Sequence, residues 1–590
     1  MATKFNWSAT NKFIHRLRHS CSSSLTHLAG FGRSSMYPMT CFYRFLAVRV
    51  NSLFTHLCYF LSLSFVGYCF LKSLDTRRGA EVPRSIDFFF TAVSTATDSS
   101  MSTVEMEVFS DSQLLFMTFL MFVGGEVFVS LVGLVVKTSR MKKSWMTQND
   151  DRVIPTTITR MSERGGGDDP TSTPRGGDLE LSVVPSDHHS IGKEEDDDDD
   201  EISSSMSLDD GGRIFEYKSV QFLCYVVLSY LVAIHILGVS VLSMYLALSS
   251  SARDVLREKG LKSFTFSLFT TVSTFASCGF LPTNENMIVF RKNAIMQLIL
   301  IPQVLFGNTL FPPCLRLCVW AAGKLRKRNS DRSEHLLRNT RRVGFYHLLP
   351  GRESAYLAAT VAGFVAVQLA LFCGTDWRSE GLEGMNPAEK LTGALFLTVN
   401  SRHSGESIVD LATVSTASLV VFVVMMYLPP YTSFLPTTGG EEEKDRTKIQ
   451  MTGDSYNDNT TGQIVISYKH KNNSNRFMEN VVVSQLSFLA IFVVLICITE
   501  RHSMKEDPLN FSIFNIVLEV ISAYGNVGFS MGYSCQRRIN PSGGGGDCRD
   551  KFTGLSGRWS DEGKVVLILV MLFGRLKKFN MAGGKAWKLL

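Results

Sequence analysis

No Asp or Glu precedes Asp75, and only 19% of the 590 residues are charged. Soluble domains carry about a quarter, so a compact cytosolic domain is excluded. Twelve Cys include no C-x-x-C pair, which argues against a zinc ribbon or a thioredoxin-like redox pair. H-E-x-x-H and Walker A strings are missing too, so neither a zinc hydrolase nor a P-loop nucleotidase is expected. What the chain has instead is apolar mass: 45% hydrophobic residues, 42 Phe and a mean hydropathy of +0.09. That mean averages long apolar blocks with very polar stretches such as EEDDDDDE at 194–201, so a wholly disordered chain is excluded as well.

Apolar runs of about 18 residues or more, the length that crosses a hydrocarbon core as a helix, stand at 51–71, 113–136, 220–248, 294–322, 355–373, 417–436, 481–499 and 564–583. The expected fold is an all-α membrane protein with eight transmembrane helices. The eighth contains Arg575, Lys577 and Lys578 and is kept because a span can hold basic residues that face an aqueous interior. Lys and Arg cluster in 1–50, after the second span and after the fourth, so these segments are read as cytoplasmic, with both termini on that side. An organelle transit peptide shares the Ser- and Arg-rich composition of the first segment. The links 137–218, 323–354 and 437–480 then lie inside the cell, the first as a disordered acidic linker. Sequons at Asn459 and Asn472 fall on the inner side, whereas Asn510, in Asn510-Phe511-Ser512, falls outside and is the expected glycosylation site. Cys535 and Cys548 bracket a Gly-rich outer loop, in a compartment where a disulfide between them would persist.

Between each odd span and the next even one lies a stretch too short and too mixed to cross. Residues 90–101 read FTAVSTATDSSM and 269–280 read FTTVSTFASCGF, which sets Ser100 against Gly279. FLTVNSRHSGES at 396–407 needs a one-residue gap to bring Gly405 to the same place, and in LEVISAYGNVGFS at 518–530 Gly528 follows Ser522 at the spacing of Gly279 from Ser273. The unit span, re-entrant segment, span therefore repeats over 51–136, 219–322, 355–436 and 481–590. A re-entrant segment must be buried in protein or line water, and four copies about a pseudo-fourfold axis provide that enclosure. Their helix C-termini carry partial negative charge, and the carbonyls after them can replace a cation's hydration shell. Glycine frees the backbone to take the required φ. Four packing loops in a carrier are the competing reading.

The strings SSMSTVEMEVFS, TTVSTFASCGFLPTNENMI, PQVLFGNTLFP, NSRHSGESIVDL, MMYLPPYT and EVISAYGNVGFSMGYSC resemble the plant HKT transporters of the Trk/Ktr/HKT cation transporter superfamily. The resemblance covers about residues 50 to 590 apart from two links. It implies one selectivity-filter residue per pore loop, at Ser100, Gly279, Gly405 and Gly528, with Na+ as the transported ion, and a Ser-Gly-Gly-Gly filter is similar to the sodium-selective class. It further implies a plasma-membrane protein, a homodimer, and no cofactor or nucleic-acid partner. A K+-permeable or Na+/K+-cotransporting relative is the alternative, and an alternating-access carrier is disfavoured because the four copies run in one orientation. One glycine per loop predicts a single narrow site, and a Ser adds bulk and a hydroxyl ligand that favour the smaller ion.

Glu105, Glu107, Glu285, Glu406 and Asp410 follow the filter residues and are expected at the outer mouth, where acids concentrate cations. Asp98, two residues before Ser100, stands where the other loops hold Ser277, Ser404 and Asn526 and where the resemblance implies an uncharged residue. A carboxylate so near the ion bears directly on Na+/K+ preference. Arg575 is expected to form an electrostatic barrier beneath the filter, a role the resemblance also implies, whereas Lys577 and Lys578 read as snorkelling anchors. Gly307-Asn308 and Pro429-Pro430 are helix breakers that either line the constriction or end their spans. His235 and His403 are read as packing histidines. An enzyme is not expected, since the nearest candidate string, RHSGES at 402–407, lies inside a pore loop.

Overall fold

The computed structural model describes residues 52–77, 79, 81–152, 198–326, 329–433, 485–538 and 550–580. The expected N-terminal segment 1–50, the interiors of the links 137–218 and 437–480, Asn459, Asn472 and Cys548 lie outside the described residues. Each apolar run carries helix, because a helix satisfies its own backbone polar groups and needs no water. The helices are Ser52–Ser73 (α1), Ser85–Ala96 (α2), Asp111–Gly124 (α3), Glu126–Arg152 (α4), Asp198–Leu248 (α5), Ser250–Glu258 (α6), Ser263–Ala276 (α7), Ala294–Gly307 (α8) and Phe311–Leu325 (α9). They continue with Ser330–Arg338 (α10), Gly351–Asp376 (α11), Pro387–Asn400 (α12), Thr416–Tyr427 (α13), Gln485–Thr499 (α14), Ile513–Gly525 (α15) and Asp561–Asn580 (α16).

Among the described residues, Leu53–Ser73, Gly212–Leu248 and Gly351–Asp376 are each long and apolar enough to cross a bilayer. Two more stretches pass that test only as bent pairs, α3 with α4 at 53° and α8 with α9 at 81°. Phe65, Ile236 and Leu248 are among many large apolar side chains left exposed; so much apolar surface needs a lipid surround. The chain is a helical membrane protein.

Two expectations change. The first link is not a linker throughout, since α4 runs on to Arg152 and α5 starts at Asp198. Extending an existing helix adds one backbone hydrogen bond per residue without a new nucleus, so a span can continue into polar sequence that buries nothing. The sixth span, expected to reach 436, stops as helix at Tyr427. Pro429-Pro430 follows, and proline can neither donate its N–H nor clear the preceding turn.

The chain divides into two compact units. One comprises Ser130–Ser229 with Cys318–Phe345. There the Lys137 ammonium donates to Val343 O (2.5 Å), Thr138 Oγ1 meets Cys224 Sγ (3.4 Å), and Ser333 Oγ donates to Val319 O (2.8 Å). The other comprises Met1–Val129, Tyr230–Leu317 and Tyr346–Leu590 and holds all four re-entrant segments.

Within this larger unit the helices pack in a cyclic order. α3 lies on α7, α8 on α12, α13 on α15, and α16 on α2, so each even-span helix meets the re-entrant helix of the next repeat and the last meets the first. Each odd helix is also tied to the even helix of its own repeat. Gln113, in a capping box with Ser110, donates to Leu71 O (2.8 Å); Asp376 accepts from Ser415 N (2.6 Å) and Ser418 Oγ (2.7 Å); Glu500 accepts from Ser560 N (2.9 Å) and Oγ (2.6 Å). These side chains satisfy helix N-termini that would otherwise leave buried donors unpaired.

Candidate functional site

The helices expected to be re-entrant, α2, α7, α12 and α15, are buried mainly in their C-terminal halves, where Phe, Val, Thr and Ser are common. Hydroxyls inside such a helix bond back one turn: Thr91 Oγ1 donates to Asp87 O (2.8 Å) and Thr95 Oγ1 to Thr91 O (2.7 Å). After each helix the backbone reverses through left-handed conformations. Asp98, Ser277 and Asn526 have φ of 51°, 61° and 49°, and two residues later Ser100, Gly279 and Gly528 have φ of 52°, 84° and 99°. The third loop differs: Gly405 has φ 66°, while neither Ser404, expected as the counterpart of Asp98, nor His403 takes the left-handed turn. The hydrogen bonds give the reason. Ser99 N, Cys278 N and Val527 N donate to Ser94 O (2.8 Å), Ser273 O (2.9 Å) and Ser522 O (3.0 Å), whereas in the third loop Gly405 N itself donates to Asn400 O (3.1 Å). The third loop reaches its glycine one residue sooner.

The four left-handed residues come together. A Cβ built on Gly279 would collide with the carbonyl of Ser404, one on Gly405 would lie 2.9 Å from the carbonyl carbon of Gly528, and one on Gly528 would lie 2.9 Å from Ser100 Oγ. The loops of repeats two, three, four and one are thus in successive contact, at a closeness only glycine permits at three of the places. The neighbours are stitched together behind this contact. Thr274 Oγ1 donates to Glu406 Oε1 (2.5 Å), Asn526 Nδ2 to Ser99 Oγ (2.7 Å), and Gly554 N to Ser102 O (3.0 Å). Four helix C-termini ending at one cluster of close-packed backbone is an arrangement that favours a cation.

The even-span helices press on these ends. A Cβ on Gly124, Gly307 or Gly574 would run into the carbonyl of Ala96, Phe275 or Tyr524, each four residues before the expected filter residue. Gly307-Asn308, read as a helix breaker, is the elbow between α8 and α9, and Asn308 Nδ2 donates to Ser277 Oγ (3.0 Å). Pro429-Pro430 ends its helix and offers carbonyls to Arg402 (2.5 and 3.1 Å).

The charges are arranged differently from the expectation. Asp98 and Arg575, read apart in the sequence, are one buried ion pair: Arg575 Nη2 lies 2.7 Å from Asp98 Oδ2, with side-chain exposures of 2% and 0%. Of the expected mouth acids, Glu107 and Glu285 both bind the Lys259 ammonium at 2.5 Å, and Glu107 also exchanges hydrogen bonds with Asn284. Burial lowers the Lys259 pKa, but the two carboxylates outweigh it and hold the value above that of an ordinary lysine. Glu105 accepts from Phe552 N (3.1 Å), and Asp410 caps a turn through Ala412 N (3.0 Å). Glu406 is buried behind the third loop, not at a mouth. A second buried acid, Glu519 in α15, accepts from Ser530 Oγ and was missed from sequence, although an acid inside an apolar helix was the signal.

Asn510, the expected glycosylation site, is placed inward. It is fully buried, with Nδ2 donating to Asp507 Oδ2 (2.8 Å) and Ser534 O (3.0 Å). Cys535 is disulfide-bonded, and its expected partner Cys548 lies outside the described residues. His235 bonds Leu231 O (2.7 Å), and His403 bonds Val399 O (2.6 Å) and Thr309 Oγ1 (3.0 Å); both pack. Residues 528–532 also spell G-x-S-x-G, the letters of a hydrolase nucleophile elbow. Ser530 is instead a staple, donating to Glu519 and accepting from Gly532 N (3.1 Å) and Leu555 N (2.9 Å).

Residues 210–582 match the family described as TrkH, cation transport protein. The chain is 48% identical over 549 residues to the probable cation transporter HKT1;4 of Oryza sativa subsp. japonica, covering 92% of this chain and 99% of that protein. It is 45% identical over 505 residues to the sodium transporter HKT1 of Arabidopsis thaliana, covering 86% and 89% respectively. A crystal structure of the potassium transporter TrkH from Vibrio parahaemolyticus aligns over 90% of this chain and 85% of that one, at a TM-score of 0.45 and 14% identity.

Proposed function

The chain belongs to the TrkH family of cation transporters, among the plant HKT proteins, and we propose that within it this protein is a sodium-selective uniporter of the plasma membrane. It is a multi-pass transporter and not an enzyme. In our reading the eight apolar segments and four re-entrant loops form four repeats about one pore, with both termini cytoplasmic. Na+ passes the ring of Ser100, Gly279, Gly405 and Gly528 down its electrochemical gradient. Closure of an outer loop by Cys535 and Cys548, and assembly as a homodimer, belong to the same reading.

The observation that carries it is the one side chain in the ring. Ser100 Oγ stands 2.9 Å from where Gly528 would need a Cβ, so one corner of this close backbone contact holds a hydroxyl and added bulk. A smaller passage with an extra oxygen ligand favours Na+ over K+. A relative bearing the name sodium transporter at 45% identity supports the same direction. Asp98 beside the ion was one ground for the K+-permeable alternative; Arg575 at 2.7 Å from it weakens that ground and so supports the Na+ reading.

The test is voltage clamp of oocytes expressing the chain while external Na+ is replaced stepwise by K+. The reversal potential should follow Na+, and Ser100→Gly should raise the K+/Na+ permeability ratio several-fold. An unchanged ratio in Ser100→Gly would overturn the assignment.

A further inference from the structure

We infer that Asp98 is the built-in counter-charge of Arg575, and that the pair, rather than either residue, sets how readily a cation passes the inner side of the filter in this protein. The inference rests on the reading of the chain as a cation pore, though not on its preference for Na+.

Arg575 is not a snorkelling anchor. Its Nη2 donates both to Asp98 Oδ2 (2.7 Å) and to Gly124 O (2.5 Å), and its guanidinium carbon lies 5.6 and 5.4 Å from the ring centres of Phe60 and Phe579. The group is held inward by a carboxylate, a carbonyl and two aromatic faces, away from any aqueous surface. Asp98 in turn sits two residues before Ser100, at the first of the two left-handed turns, so the pair stands directly behind one corner of the ring.

Charge is not needed there to build the loop. In the second repeat the same turn is occupied by Ser277 and held by the amide of Asn308 (3.0 Å), and Asn308 follows elbow Gly307 as Arg575 follows Gly574. In the fourth repeat Asn526 holds its turn by donating to Ser99 Oγ and to Met571 O (3.2 Å). Neutral links therefore shape two of the left-handed turns, and among the described residues only the turn of the first repeat is held by an ion pair. What the pair adds is electrostatic. A lone Arg575 would repel a cation leaving the ring, a lone Asp98 would hold it, and together their fields largely cancel at the distance of the ion. Glu126 and Lys578, which also act on Asp98, remain in every variant below.

The test is a double-mutant cycle in oocytes, with currents normalised to surface protein. Asp98→Asn should lower Na+ conductance several-fold and change rectification, because the arginine is then uncompensated. Arg575→Gln should move the other way, lowering the Na+ concentration for half-maximal current. Asp98→Asn with Arg575→Gln should return both quantities close to wild type. A double variant that stays as far from wild type as Asp98→Asn alone, or Asp98→Asn indistinguishable from wild type, would overturn the inference. If a single variant does not reach the surface, the combination Asp98→Ser with Arg575→Asn, which copies the link of the second repeat, decides the matter. Conductance near wild type supports the pair as mutually cancelling; conductance lost at normal surface level overturns it. The readouts separate the two readings: a reversal potential insensitive to Ser100→Gly costs the filter assignment, while recovery of conductance in the double variant leaves the ion pair standing; a double variant that does not recover, with a reversal potential that does respond to Ser100→Gly, does the reverse.

Discussion

At the scale of single residues, the ring depends on backbone that side chains rarely permit. Gly279 has φ 84°, and a Cβ there would lie 2.6 Å from the carbonyl carbon of Ser404. Gly279→Ala therefore suffers twice, by about 1–2 kcal/mol for the left-handed conformation and by about 1–3 kcal/mol for the intrusion into a packed neighbour. The expected outcome is a lowered melting temperature in detergent and loss of current, measured at equal expression. Ser100 already occupies φ 52° as an L-residue, so Ser100→Gly carries no such cost and should melt at or above the wild-type temperature, which keeps its effect on permeation interpretable. The two substitutions are mirror images, and equal behaviour of both would show that the ring is more pliant than its contacts imply.

Between elements, the polar links decide which helix ends meet. Lys564, in the first turn of α16, is buried and lies 2.7 Å from Asp87 in the first turn of α2, so the ion pair fixes the first re-entrant helix against the last span. Lys564→Met leaves the carboxylate with only the exposed Arg84 at 3.2 Å. Removing one partner of a buried pair costs about 3 kcal/mol or more, and the check is a melting curve of the variant beside Asp87→Asn combined with Lys564→Met, which should recover much of the loss. Such links were the least legible part of the sequence. The first two loops could be read because Phe, Thr, Val, Ser and Thr recur in register, and the third and fourth through the placing of their glycines; such repetition is visible without a structure. Asp87 and Lys564, or Asp98 and Arg575, are 477 positions apart and carry no local pattern that joins them. The inward placing of Asn510 was hidden for a related reason: a sequon records three residues and says nothing of the Asp507 and Ser534 that its side chain bonds. The helical extension at Asp198 was hidden because composition reports what a segment can bury, whereas a helix already nucleated in lipid needs no burial to continue.

Across the whole larger unit, the cyclic packing makes the C-terminal repeat a closing piece. The first re-entrant helix is synthesised early, yet its partners arrive last: α16 packs on α2, Lys564 meets Asp87, Arg575 meets Asp98, Asn526 meets Ser99, and Gly554 meets Ser102. Until residues 481–590 are present, two carboxylates of the first loop lack the cations that neutralise them in the folded chain. An unpaired buried charge costs several kcal/mol, so a chain ending at residue 436 is expected to be retained and to carry no cation current. The contacts that close the cycle are side-chain and backbone contacts and do not require peptide continuity through 437–480. Co-expression of residues 1–436 and 481–590 as two polypeptides should therefore restore current at the surface, at a level set by how often the pieces meet. Current from 1–436 alone would show that three repeats suffice and that the cycle is not needed for conduction. Silence from the two pieces together, with both detected at the surface, would show that continuity through the link does more than hold the fourth repeat nearby.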